Sequence, residues 1–265
     1  MKKAIAIVVL GLMVTFNAEA VSYVFKDNLY AGPDIVTKED PTTFQNIVFV
    51  KEKKIEWWDK RKAKDCKGLS SCIGWKKSIF KIFLFTATFE TNRKINIRVN
   101  TEFETKDKAE KQALKYGKMV GQLPNFLRKN LKTVTIHKGN HVWSAGDKGD
   151  ILIHTKGYSP NWITSEEEAM LHESAHVSLD WQRKGSVSLS KWKKAAKEDN
   201  IFISKYASEF SKTEDVAETI LWWVAVRCKK DRISESNYDN ILEAIPNRIK
   251  YLDEQNLDTY PMVCK

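Results

Sequence analysis

Ser165-Glu166-Glu167-Glu168-Ala169-Met170-Leu171-His172-Glu173-Ser174-Ala175-His176-Val177-Ser178-Leu179-Asp180 decides how this chain is read. Ser165 followed by three acids is a capping-box pattern, with negative charge at the positive end of a helix dipole. Leu171, His172, Ala175, His176 and Leu179 then recur at helical spacing, so a helix is predicted from Thr164 or Ser165 to about Asp180 or Trp181. Residues four apart share one helix face, so His172 and His176 can present ring nitrogens to one zinc ion at about 2.0–2.1 Å. Glu173 lies beside the first histidine. It can take a proton from a metal-activated water and deliver it to a leaving amine.

A catalytic zinc needs a third protein ligand and an open position. A histidine six residues beyond His176 is excluded, because that position is Gln182. The remaining candidates are Asp180, one turn after His176, and the pair Glu214 and Glu218. A second helix is predicted over Lys212–Arg227, capped by Ser211 or Thr213. From Val216 to Val226 it is apolar nearly all round, so it is buried. A carboxylate in such a helix seeks a cation. The helix dipole accounts for Glu214 near the start; it accounts poorly for Glu218, a turn deeper. Asp180 reads as a carboxylate that holds a histidine N–H rather than the metal.

Upstream, Ile47 to Val50, Ile79 to Glu90 and Ile95 to Val99 read as strands, the last two forming a hairpin across Thr91-Asn92-Arg93-Lys94. Lys106 to Val120 has helical composition, which Gly117 weakens and Gly121 can end; Pro124 opens a short helix through Leu131. Val134–His137 and Asp150–His154 are short strands. The second of these is placed to bind extended substrate by edge pairing, with His154 at its end as a strand-end histidine or a ligand. His137 and His141 carry no pattern. A helical part over Tyr238–Leu252 breaks near Pro246. Strands before helices in one continuous core give an α+β class.

The residues His172-Glu173-Ser174-Ala175-His176, Tyr206-Ala207 and Glu214-Asp215-Val216-Ala217-Glu218 together resemble the gluzincins related to anthrax lethal factor. The resemblance covers mainly residues 165–228. It implies a zincin-like metallopeptidase domain, with a small mixed sheet packed on the helix that carries the two histidines and a helical part at the C-terminal end. It also implies a zinc-dependent endopeptidase acting on protein or peptide. Glu214 would be the third zinc ligand beside His172 and His176. Glu218 would stand behind a ligand histidine, and Tyr206 would donate its phenol to the oxyanion. Ala175 replaces the glycine common before the second histidine. Nothing upstream resembles the toxin's recognition domains, so no substrate is carried over.

The remaining sequence sets the context. The chain has 265 residues, a net charge of +10 and 42% hydrophobic residues including nine Trp, enough for a sizeable core. Lys2 and Lys3, the apolar run Ala4–Phe16 and Ala18-Glu19-Ala20 read as a signal peptide over residues 1–20, cleaved after Ala20. Residues 21–78 form an N-terminal segment of undefined structure, and residues 79–265 the catalytic domain. Location is expected to be secreted or periplasmic, with no transmembrane segment after signal removal. Four cysteines after the signal fit an oxidising compartment, and the local pairings Cys66–Cys72 and Cys228–Cys264 are favoured. Without the leader's two lysines and one glutamate the charge is +9, which suits an anionic envelope surface. No nucleic-acid motif is present. The rival reading is a non-catalytic envelope- or partner-binding protein on a metallopeptidase fold.

Overall fold

The structure is a computed structural model, and it describes residues 23–25, 35–59, 76–156, 165–180 and 185–265. The signal peptide and the Cys66–Cys72 pairing lie outside the described residues. In chain order the elements are β1 (Tyr23–Phe25), β2 (Phe44–Asp59), β3 (Lys76–Phe89), β4 (Lys94–Asn100), α1 (Lys106–Gln122) and α2 (Asn125–Arg128). They continue with β5 (Thr133–His137), β6 (Ser144–Gly146), β7 (Asp150–His154), α3 (Glu166–Ser178), α4 (Leu189–Asp199) and β8 (Phe202–Ser204). The chain ends with α5 (Lys205–Glu209), α6 (Asp215–Cys228), α7 (Glu235–Ala244) and α8 (Pro246–Asp253). The class is mixed α and β, with a mixed sheet.

Six strands form one sheet in the order β2-β3-β4-β5-β7-β6. β4, β5 and β7 run parallel, and β2–β3, β3–β4 and β7–β6 pair antiparallel. On these inner strands every second residue is aliphatic and points into one core face. Ile97, Val99, Val134, Ile136, Ile151 and Ile153 are completely buried. β7 is therefore interior, held by β5 on one side and β6 on the other. The expected edge pairing of substrate on Asp150–His154 is corrected: among the described residues the edge strands are β2 and, on the β7 side, β6. β2 pairs with β3 over its whole length, so residues 44–59 belong to the same sheet as the strands after residue 79.

α1 lies across β2, β3 and β4. It does not end at Gly121 but runs to Gln122. Gly117 and Gly121, one turn apart, leave a bare track on which residues 42–44 lie. A Cβ on Gly121 would stand 2.2 Å from Thr42 Oγ1 and 2.7 Å from Phe44 N. The amide of Thr43 donates to Gly121 O at 3.0 Å. The glycines serve close approach, not termination.

The helical half is built on α6, whose residues Val216 to Val226 are all buried, as its all-round apolar sequence requires. It packs against α3, while α4 packs against α8. Sequence reading gave no helix over 189–199. Trp192 and Ala195, three residues apart on one face, are the buried residues of α4, so the segment is amphipathic and its helical spacing went unread. The break expected at Pro246 is present: α7 ends at Ala244, and Pro246 takes the first position of α8. Cys228, at the end of α6, is bonded to Cys264. β1 pairs parallel with β8, and Phe25 stacks on Trp222 at 4.3 Å. Among the described residues no helix is long and apolar enough to cross a membrane.

Candidate metal centre

α3 starts where the capping pattern places it. Ser165 Oγ accepts the amide N–H of Glu168 at 3.2 Å, and Glu166–Glu168 occupy the first turn. His172 and His176, one turn apart, are each 6% exposed and face the start of α6. That helix begins at Asp215, not at Lys212, and Ser211 and Thr213 do not cap it. The terminal position is Glu214, whose side chain makes no cap hydrogen bond. Instead its carboxylate turns to the histidines.

Three donor atoms converge. His172 Nε2 and His176 Nε2 are 3.1 Å apart, and Glu214 Oε2 lies 3.3 Å from the first and 3.0 Å from the second. Ligands about 2.0–2.1 Å from zinc at tetrahedral angles stand about 3.3 Å from one another. The triangle therefore has the size of one face of such a site. Among the described residues His172, His176 and Glu214 are the group that can hold a metal ion.

Behind each ring stands a carboxylate. His176 Nδ1 is 2.7 Å from Asp180 Oδ2, and His172 Nδ1 is 3.2 Å from Glu218 Oε1, the latter off the line of a hydrogen bond. A carboxylate can only accept, so His176 Nδ1 carries the proton and its Nε2 turns a lone pair inward; at His172 the negative charge of Glu218 beside Nδ1 favours the same tautomer. Two lone pairs and a carboxylate oxygen facing one another at about 3 Å repel unless a cation lies between them. With protons as that cation, burial lowers both imidazoles, and the carboxylates outweigh it. Asp180 and Glu214 raise His176 to about 9; Glu214 and Glu218 raise His172 well above its ordinary value. Burial raises Glu214, and its bonds to the two histidines outweigh this and hold it well below the usual carboxylate range.

The other predicted residues gather around this triangle. Glu173 is half-buried on α3 beside His172. Tyr206, on α5, has its phenol pushed up by burial and then by the carboxylates of Glu214, Glu173 and Glu218, so at neutral pH it is a donor. Sequence reading missed Ser204. This buried residue caps α5 by accepting the amide N–H of Ala207 at 3.1 Å, and its hydroxyl donates to Glu218 Oε2 at 2.6 Å. One side chain thus ties the Tyr206 helix to the carboxylate behind His172. A serine before a short helix is the signal that was there to read.

His154 is not in the triangle. It pairs in register with His137, and the two rings stack with centroids 5.7 Å apart; His141 lies 5.3 Å from His154. Of the two readings of His154, the strand-end histidine holds and the metal ligand does not, because the end of β7 carries it into this second cluster.

Compared with protein-family models, with characterised proteins and with solved structures, the chain matches none.

Proposed function

We propose that this protein is a zinc-dependent endopeptidase with a zincin-like catalytic domain, exported from the cell and acting on protein or peptide substrates. The observation that carries the reading is the triangle of His172 Nε2, His176 Nε2 and Glu214 Oε2, each ring backed by a carboxylate and with Glu173 next in sequence to the first ligand. The donor set of two imidazoles and one carboxylate is that of zinc peptidase sites, and three protein ligands leave the fourth position open.

A bound zinc supplies Lewis acidity. The chain's own residues supply the rest. Glu173 accepts the proton of the attacking water on one carboxylate oxygen and returns it to the amine nitrogen as the peptide bond breaks. Tyr206, half-buried and close to negative charge, keeps its proton and offers it to the developing oxyanion. Asp180 accepts the Nδ1 proton of His176, and the charge of Glu218 beside His172 Nδ1 favours the matching tautomer, so both Nε2 lone pairs are aimed at one point. Among the described residues β6 and β2 are the edge strands of the sheet, and β6, beside β7, offers an edge to an extended peptide. The basic surface favours anionic envelope material nearby.

The test is cleavage of a diverse peptide pool by wild type and Glu173→Gln. The expected result is chelator-sensitive cutting by wild type. In Glu173→Gln turnover should fall by about 10²–10⁴, the worth of a positioned general base, with zinc still bound. Cleavage at the wild-type rate by Glu173→Gln would overturn the mechanism.

A further inference from the structure

Of the three converging donors, two ride on α3 and one, Glu214, stands on the last residue before α6. The sequence gives Glu214 no local fixing: it is the end of a helix preceded by turns, and its own side chain does not cap. What fixes it is on the next residue. Asp215 is 2% exposed, and its Oδ2 accepts from Trp192 Nε1 on α4 at 2.7 Å and from Arg248 Nε on α8 at 3.1 Å. Arg248 is completely buried. Its Nη1 donates to Asp199 Oδ2 at 3.0 Å and to Ile201 O at 2.9 Å, and its guanidinium lies 5.0 Å over the Phe202 ring. Asp199 in turn accepts the amide N–H groups of Asn247 at 2.8 Å and Arg248 at 3.2 Å at the start of α8.

A buried ion network of this kind is weak evidence of net stabilisation, since desolvation offsets its Coulombic gain. It does define direction. Arg248 presents a planar fork whose donors are divided between two aspartates on two elements, so the first turn of α6 has one permitted orientation against α4 and α8. Consecutive residues at a helix start project about 100° apart. Asp215 pulled toward α4 and α8 therefore turns Glu214 toward α3 and the histidines. The helix carries the second ligand element the way a bolted bracket carries its arm.

We propose that Asp215 and Arg248 are positioning residues of the metal centre, setting the carboxylate of Glu214 against His172 and His176. The inference rests on the reading of that triangle as a metal site. It makes the affinity for zinc depend on a buried cluster whose members touch no metal donor.

The test is a competition titration with Zn²⁺ on wild type, Asp215→Asn, Glu214→Ala and the double variant, each shown folded by circular dichroism. Asn keeps the shape and the acceptor for Trp192 but removes the charge that holds Arg248. Asp215→Asn is expected to weaken zinc about 10-fold, the low end for residues that orient ligands. In the Glu214→Ala background the same substitution is expected to change zinc affinity less than twofold, because the residue it acts through is gone. Arg227→Gln, which removes the exposed ion pair with Asp253 at the other end of α6, serves as control and should bind zinc as wild type does. Where Asp215→Asn fails to fold, Trp192→Phe removes one donor from Asp215, with an expected weakening of about threefold. Unchanged zinc affinity in folded Asp215→Asn would overturn the proposal, and so would an equal loss in the presence and absence of Glu214. A wild-type protein that binds no zinc overturns the metal reading itself, a result separable from the other two.

Discussion

The chain has five histidines in two groups: His172 and His176 are buried in one, and His137 and His154 are buried beside the half-buried His141 in the other. At the start of α6, His172 and His176 stand with carboxylates behind both rings. At the ends of β5 and β7, His137 and His154 stack with His141 beside them. There the hydrogen-bond partner of His137 Nδ1 is Asn100 Nδ2 at 2.7 Å, and the nearest carboxylate, Glu102, stands off at 3.7 Å. Asn100 Oδ1 already accepts the amide N–H of Glu102 at 3.1 Å, so the amide nitrogen must face the ring, and Nδ1 must accept. The proton of His137 is then on Nε2. In the first group Nε2 offers a lone pair; in His137 it offers a hydrogen. Proximity of imidazoles does not make a metal site. The groups behind the rings decide which nitrogen is free to bind.

The largest effect expected from this contrast is a split between the two groups. His172→Ala or His176→Ala should abolish stoichiometric zinc binding. His137→Ala should leave zinc content at the wild-type level and instead cost about 3 kcal/mol of stability through the cavity left by a fully buried ring. Metal analysis and denaturant melts on the same samples check both. Zinc lost from His137→Ala with the fold intact would break the contrast.

A smaller effect sharpens it. Asp180→Asn and Glu218→Gln keep the ligands but exchange an obligate acceptor for an amide that can present either end. Zinc affinity should fall about 10- to 100-fold in each. Asn100→Asp, the matching change behind His137, should leave zinc affinity unchanged. A competition titration distinguishes these outcomes.

The smallest effect is the pH dependence of the zinc-free protein. His176 is raised from 6.5 to about 9 once its carboxylates outweigh burial. A raised histidine stabilises the fold in full below about 6.5, and the contribution is lost as pH climbs through about 9. Glu214 is lowered, so its contribution is present above about 4.5 and lost as pH falls. The zinc-free protein should therefore gain most from this cluster between about pH 4.5 and 6.5. The difference from His176→Gln should shrink by at most about 3 kcal/mol toward pH 10. With zinc the sign reverses for binding: the histidine protons must leave, so affinity rises with pH. A stability difference that grows from pH 6.5 to 10 would contradict the ion cluster.

Much of this arrangement was legible in the sequence where the signal is local. The cap at Ser165, the helical spacing of His172 and His176, the apolar length of Val216–Val226 and the proline break at Pro246 each act within a few residues. The illegible parts are long-range. The bare track of Gly117 and Gly121 exists for residues 42–44, and a glycine reads as a stop when its partner is distant. β7 alternates no differently for having β6 on its flank. Glu214 was placed among three candidates, but its turn away from the helix end depends on Asp215 meeting Arg248, 33 residues downstream. α4 is amphipathic, but its spacing rests on two core residues, Trp192 and Ala195, in a lysine-rich segment, and it was missed.

The most direct test of the central claim is the zinc stoichiometry and affinity of the purified protein beside Glu214→Ala. The account predicts one tightly held zinc per wild-type chain, and binding weakened by about 100-fold or more when the carboxylate that completes the triangle is removed. A well-folded wild-type protein that holds no zinc, or a Glu214→Ala variant that holds it as tightly as wild type, would contradict it.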